Sequence, residues 1–284
     1  MAPRTTVIAV FVAAALAFGS ACAAITPDFG ISDFAARKAQ VGGHGGQTVE
    51  VDGAQLYYET YGAGAPVLVL HGGTAYLETM HHQIEALAPD HLVIAPDSRG
   101  HGRSTDGPGP LHYHQMAEDM VALMDRLHIP KADIVGWSDG GIVALDLAIH
   151  HPKRVGRIVT MGSNFDLTGL GNLGPPAPAD SPSVARQRDA YRRMSPTPDH
   201  WPAFYGKVQT MWRTEPHFTR KDLSSIRSRV LVMAGESDSI PREHTDALAS
   251  AIPGAQKVII PHASHFALLT HPEAVNAAII AFLK

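Results

Sequence analysis

The sequence predicts an α/β domain: a mostly parallel, doubly wound sheet of about eight strands with an inserted helical lid. Three observations predict it. Short unbroken apolar runs, of which Pro66-Val67-Leu68-Val69-Leu70 is the clearest, have the pattern of strands buried on both faces. Such runs alternate four times with helical patterns before residue 163, which favours parallel pairing through right-handed crossovers. The stretch 163–225 then breaks the rhythm, and it is too long for a simple connection. The organisation that follows is a signal peptide at 1–24, a linker at 25–47, a core built from 48–162 and 226–284, and the lid at 163–225.

Composition sets the outer bounds. A chain of 284 residues with 45% hydrophobic residues suits one large domain with an insertion and an ample core. A net charge of −4 with 18% charged residues shows no basic excess, so a nucleic-acid partner has no electrostatic support. Histidine pairs such as His81-His82 and His150-His151 fall in predicted helices without acidic or cysteine companions at metal-like spacing, so neither a metal nor a cofactor is expected.

At the N-terminus, Arg4 supplies a positive charge, residues 7–18 form an uncharged and mostly apolar run, and Gly19-Ser20-Ala21-Cys22-Ala23-Ala24 offers a small-residue cleavage zone. This reads as a signal peptide for export to the periplasm or beyond. The run is shorter than the roughly 20 apolar residues a spanning helix needs, so the mature protein is expected to have no transmembrane helix. Cys22 is the only cysteine. With Ser20 and Ala21 before it, the alternative to its removal is a lipid anchor at this residue. The Gly-rich run 41–46 is expected to be mobile linker.

The fold proper opens with a hairpin. Thr48 to Val51 and Leu56 to Tyr61 flank the turn dipeptide Asp52-Gly53. The strand 66–70 follows and ends in His71-Gly72-Gly73-Thr74, a turn that can aim the Gly73 N–H into the crevice at the carboxyl end of the sheet. A helix around 76–87 and a strand at 92–95 lead to Asp97-Ser98-Arg99-Gly100-His101-Gly102-Arg103-Ser104, whose charges and glycines read as a rigid, hydrogen-bonded loop. The helix at 112–127 places Met116, Met120, Val121, Leu123, Met124 and Leu127 largely on one stripe, as core.

Next comes the strand Ile134 to Trp137, and then Gly136-Trp137-Ser138-Asp139-Gly140-Gly141. This fits G-x-S-x-G between a strand and a helix, the arrangement that lifts a serine hydroxyl clear of both elements. Beyond the strand 157–162 lies the lid, in which Trp201, Tyr205 and Trp212, with Phe204, Met211 and Phe218, are the residues expected to wall a substrate pocket. The sheet resumes with Val230 to Ala234, after which Asp238 emerges; the strand Lys257 to Ile260 leads to His262 and His265, and a helix carrying Val275, Ile279, Ile280 and Leu283 closes the chain.

Ser138, Asp238 and His265 thus follow predicted strands in the order nucleophile, acid, base. An imidazole can take the serine proton while a carboxylate holds the ring and stabilises its charged form. His262 competes as base and Asp166 as acid. His265 stands immediately before the closing helix, and Asp166 lies further from its strand end.

Taken together, His71-Gly72-Gly73, Asp97-x-Arg99-Gly100-x-Gly102-x-Ser104, the serine motif, Gly235-Glu236-x-Asp238-x-x-Pro241 and the terminal histidine resemble the α/β-hydrolase fold over nearly the whole mature length. The serine motif itself is similar to that of valacyclovir hydrolase and related biphenyl hydrolase-like serine esterases. The resemblance implies Ser138, Asp238 and His265 as the triad and the amides of Gly73 and Asp139 as the oxyanion hole. Ser264 departs from it, since relatives often have glycine before the histidine. Haloalkane dehalogenases and epoxide hydrolases share the fold but place aspartate where Ser138 stands, which argues against both. The expected function is hydrolysis of a small-molecule carboxylic ester through an acyl-enzyme, as in a carboxylesterase. The alternatives are a lactone, amide or C–C bond hydrolase or a perhydrolase with the same triad and, from another class, a non-catalytic binding protein on this scaffold.

Overall fold

The computed structural model describes residues 30–171 and 174–284. The signal peptide and Cys22 lie outside the described residues. Eight strands form one sheet in the order β1-β2-β4-β3-β5-β6-β7-β8. They are β1 (Gln47–Val51), β2 (Ala54–Tyr61), β3 (Ala65–Leu70), β4 (His91–Pro96), β5 (Ala132–Trp137), β6 (Val155–Met161), β7 (Val230–Ser237) and β8 (Gln256–Ser264). β2 pairs antiparallel with both β1 and β4, and every other pairing is parallel. The β1–β2 hairpin turns at Asp52 and Gly53, both at positive φ (36° and 73°), the backbone that a two-residue turn matching strand twist requires.

Alternate residues of the central strands point to opposite faces, and each face is covered. Leu68, Leu70, Ile134, Ile158 and Val232 join one hydrophobic cluster, beneath α3 (Tyr113–Arg126), α4 (Asp139–His150) and the lid. Val67, Val69, Val135, Val159 and Leu231 join the other, beneath α2 (His81–Leu87) and the C-terminal α10 (Pro272–Leu283). Two buried faces explain why these strands read as unbroken apolar runs rather than as an alternation. The insertion between β6 and β7 carries α5 (Pro182–Met194), α6 (Trp201–Thr214) and α7 (Arg220–Ser225), while α8 (Arg242–Ala251) and α9 (Ala267–Thr270) flank β8.

Two expectations need correction. The stretch 25–47 is not simply linker: α1 (Ile31–Arg37) and a 3-10 turn (Lys38–Val41) lie within it, ahead of the irregular run 42–46. Phe34 is fully buried beside Tyr61, and Lys38 Nζ lies 2.7 Å from carboxylate oxygens of both Glu59 and Glu78. One aromatic anchor and one shared cation dock a segment whose composition alone looks mobile. β8, for its part, continues through Pro261 and His262 to Ser264, pairing with β7 at Ser237. It is an edge strand, where the missing N–H of a proline is tolerated.

Candidate active site

Ser138 sits between β5 and α4 at φ 53° and ψ −119°, a conformation an L-residue adopts only when its surroundings impose it. Those surroundings are glycines. A Cβ on Gly136 would lie 2.3 Å from the Gly140 carbonyl oxygen, and one on Gly140 would lie 2.3 Å from that of Leu70. Strand and helix therefore cross at backbone contact, and the serine is held by its N–H donating to Met161 O (2.8 Å).

His265 emerges beyond β8, with Nε2 3.1 Å from Ser138 Oγ and Nδ1 2.8 Å from Asp238 Oδ1. Burial alone would raise the Asp238 carboxyl, but His265 and the amides of Ile240 and Gly235 outweigh it and hold the group below the usual carboxylate range. Asp238 is thus ionised and can only accept, so Nδ1 carries the proton toward it and Nε2 is left to accept from the serine hydroxyl. The arrangement can move a proton from Ser138 Oγ to His265.

The two rivals are tied up elsewhere. Asp166 accepts from the backbone and hydroxyl of Thr168 (2.8 and 2.5 Å), capping a lid turn. His262 is exposed, and its backbone N–H donates to Glu236 (2.7 Å). Two supports were missed by sequence reasoning. Trp137 Nε1 donates to His265 O (2.9 Å), pinning the loop that carries the imidazole. Gly162, at φ 61°, leaves room for it: a Cβ there would lie 2.8 Å from His265 Nδ1. The tryptophan stood inside the serine motif and the glycine at a strand end, and those positions were the available signals.

The loop after β3 brings Gly73 against the start of α4; a Cβ on Gly73 would be 2.4 Å from Asp139 Oδ2 and 2.5 Å from the Trp212 ring. That loop is braced by His71, whose Nε2 accepts from Ser98 N (3.0 Å) while Nδ1 donates to Gly72 O (2.7 Å). Burial pushes this imidazole down to about 4, so it is neutral, as accepting at one nitrogen requires. Asp97 accepts from the Leu77 and Arg103 amides (2.8 and 2.9 Å), and Arg99 forks onto Asp119 (2.5 and 2.7 Å). The segment 97–104 is the rigid hydrogen-bonded loop expected.

Ser138, His265, Gly73 and Asp139 line one cavity of about 600 Å³. Tyr205 and Trp212 also line it. Trp201 does not: it is buried against Tyr191, Phe204 and Tyr205 and packs the lid. The Asp139 carboxylate, to which sequence reasoning assigned no role, accepts from Tyr113 Oη (2.9 Å) and Trp212 Nε1 (2.9 Å). Burial pushes it up to about 6 against these donors and the nearby His265. Among the described residues no helix is long and apolar enough to cross a membrane.

Comparison with known proteins places the chain in context. It is 31% identical over 267 residues to RutD of Caulobacter segnis, provisionally named a carbamate hydrolase, covering 84% of this chain and 98% of that protein. It is 28% identical over 252 residues to the serine hydrolase BPHL of Mus musculus, covering 83% and 85%. Among solved structures, Est816, described as an N-acyl homoserine lactone degrading enzyme, superposes with a TM-score of 0.68 at 28% identity, over 83% of this chain and all of that one. Residues 67–278 match the pattern of one family, and the chain is a hydrolase that belongs to it: the alpha/beta hydrolase family.

Proposed function

We propose that the protein is a serine hydrolase that cleaves a small-molecule carboxylic ester. The observation that carries this reading is the continuous chain of contacts from Ser138 Oγ through His265 to Asp238 at 3.1 and 2.8 Å. Ser138 Oγ attacks the ester carbonyl carbon as its proton passes to His265 Nε2, and the amides of Gly73 and Asp139 stabilise the oxyanion. Asp238 holds the imidazolium that forms. Collapse breaks the bond to the alcohol, which leaves with the proton from His265. Water, giving a proton to the same nitrogen, then attacks the acyl carbon; the acid departs and Ser138 regains its proton.

The same machinery opens a lactone, where the alcohol stays attached to the acyl group, and the likeness to Est816 favours this as the second reading. We further propose export of the mature chain, on the strength of the N-terminal charge, apolar run and cleavage zone. A screen of p-nitrophenyl esters and lactones with the mature protein and its Ser138→Ala variant tests the activity. The variant is expected to lose about 10⁴- to 10⁶-fold in kcat while keeping its Tm. Turnover like the wild type by a folded variant overturns the reading.

A further inference from the structure

Away from the cavity, α3 and α4 meet through two pairs of residues at i,i+4 spacing, His114 with Glu118 and Asp146 with His150. Side chains at that spacing share a helix face. His114 Nδ1 lies 2.9 Å from Asp146 Oδ1, and His150 Nε2 lies 3.9 Å from Asp146 Oδ2. Taking one ligand atom each from His114, Asp146 and His150, all three lie within 4.8 Å of one another. The expectation that His150 lacks an acidic companion is therefore corrected: Asp146 stands one turn before it, and His114 arrives from the neighbouring helix.

We propose that His114, Asp146 and His150 form a binding site for a late first-row divalent cation, Zn²⁺ foremost, that clamps α3 to α4. Two imidazoles and one carboxylate suit such an ion, whereas Ca²⁺ and Mg²⁺ call for oxygen donors throughout. The Asp146 side chain is only 4% exposed and provides a fixed anchor, while the His114 and His150 side chains are 55% and 48% exposed and free to adjust. Bonds of about 2.0–2.2 Å hold tetrahedral ligand atoms about 3.4 Å apart, so the rings swing inward by roughly an ångström. Glu118, whose carboxylate pairs with His151 Nε2 at 2.6 Å, stands 3.7 Å from His114 Nε2 and adds negative charge beside the site. The clamp has a defined reach. His114 follows Tyr113, whose hydroxyl holds the Asp139 carboxylate, and α4 begins directly after Ser138.

Calorimetric titration of the untagged protein with Zn²⁺, alongside thermal melts, tests the site. One ion per chain is expected, with Tm rising by roughly 5–10 °C at a hundredfold excess over Kd. Ca²⁺ and Mg²⁺ are expected to leave Tm unmoved. His114→Ala and His150→Ala, both at half-exposed positions, are each expected to weaken binding at least about tenfold. A Tm unmoved by Zn²⁺ overturns the proposal. So does a shift that survives in the double variant, since it places the ion elsewhere among the 17 histidines.

Discussion

The strand ends that carry Ser138 and His265 leave no space for a side chain where glycine stands, whereas the lid keeps its place through large side chains that have ready substitutes. At the strand ends, added methyl groups on Gly136, Gly140 and Gly162 would meet neighbours at 2.3, 2.3 and 2.8 Å. In the lid, Tyr191, Trp201, Phe204 and Tyr205 form a stack, and Lys207 reaches Asp106 at 2.7 Å. At Gly136 and Gly140 the contact is backbone against backbone and cannot relax, and at Gly162 it is with the His265 imidazole; the lid's aromatic stack is packing, which tolerates exchange at constant volume. Chemistry that depends on tenths of an ångström sits on the unyielding region, and the cavity wall is drawn from the yielding one.

Gly140→Ala is the sharpest way to break this contrast. It is expected to cost more than about 4 kcal/mol, the range reserved for strain or overpacking, and to abolish ester turnover. Thermal melts and assays of the variant check this, and an unchanged Tm would contradict the steric account. Gly73→Ala follows. Its methyl is aimed at Asp139 and Trp212, so the expected result is a folded protein whose kcat falls about 100- to 1,000-fold, as when one oxyanion donor is lost.

This contrast also explains what could be read from the sequence. Gly136 and Gly140 were legible because a steric requirement leaves only glycine there, and Ser138 because it stands between them at a strand-to-helix turn. The strands were legible because burial on both faces leaves only apolar residues. Asp238 and His265 were legible from their place after strands, since a parallel sheet brings all its carboxyl ends to one edge. The docking of α1 was not, because a single buried Phe34 carries no periodicity. Nor was the difference between Trp201 and Trp212: both are lid tryptophans, and only the fold turns one into the stack and the other toward Asp139. The Asp146–His150 pair was not legible as a site, because its third member, His114, comes from another helix and joins it only in the fold.

Asp139 sharpens the comparison on the electrostatic side, since it joins the two regions. Its buried carboxyl sits at about 6, against about 3.9 for an unfolded chain. A raised folded value means that the ionised group costs stability above pH 6, and that the cost is relieved as pH falls from 6 towards 4. Asp139→Asn is therefore expected to be more stable than the wild type at pH 8, by about 2–3 kcal/mol. The gap should close near pH 4, and denaturant melts at both pH values check it. A gap independent of pH contradicts the assignment.

Three smaller effects separate cavity wall, lid packing and exposed edge. Trp212→Phe removes a donor to the Asp139 carboxylate, so the midpoint of that pH effect is expected to move upward and KM to change. Trp201→Phe is expected to lower Tm by a few degrees and leave the pH response alone. His262→Ala, at an exposed edge, is expected to change stability by no more than about 0.5 kcal/mol and turnover by less than about twofold.

The most direct test of the central claim is covalent labelling with a fluorophosphonate, read by mass spectrometry of the intact and digested protein. One adduct per chain is expected, on the peptide containing Ser138, absent from Ser138→Ala and strongly slowed in His265→Ala. An unlabelled but folded wild type, or an adduct that persists in Ser138→Ala, contradicts the account.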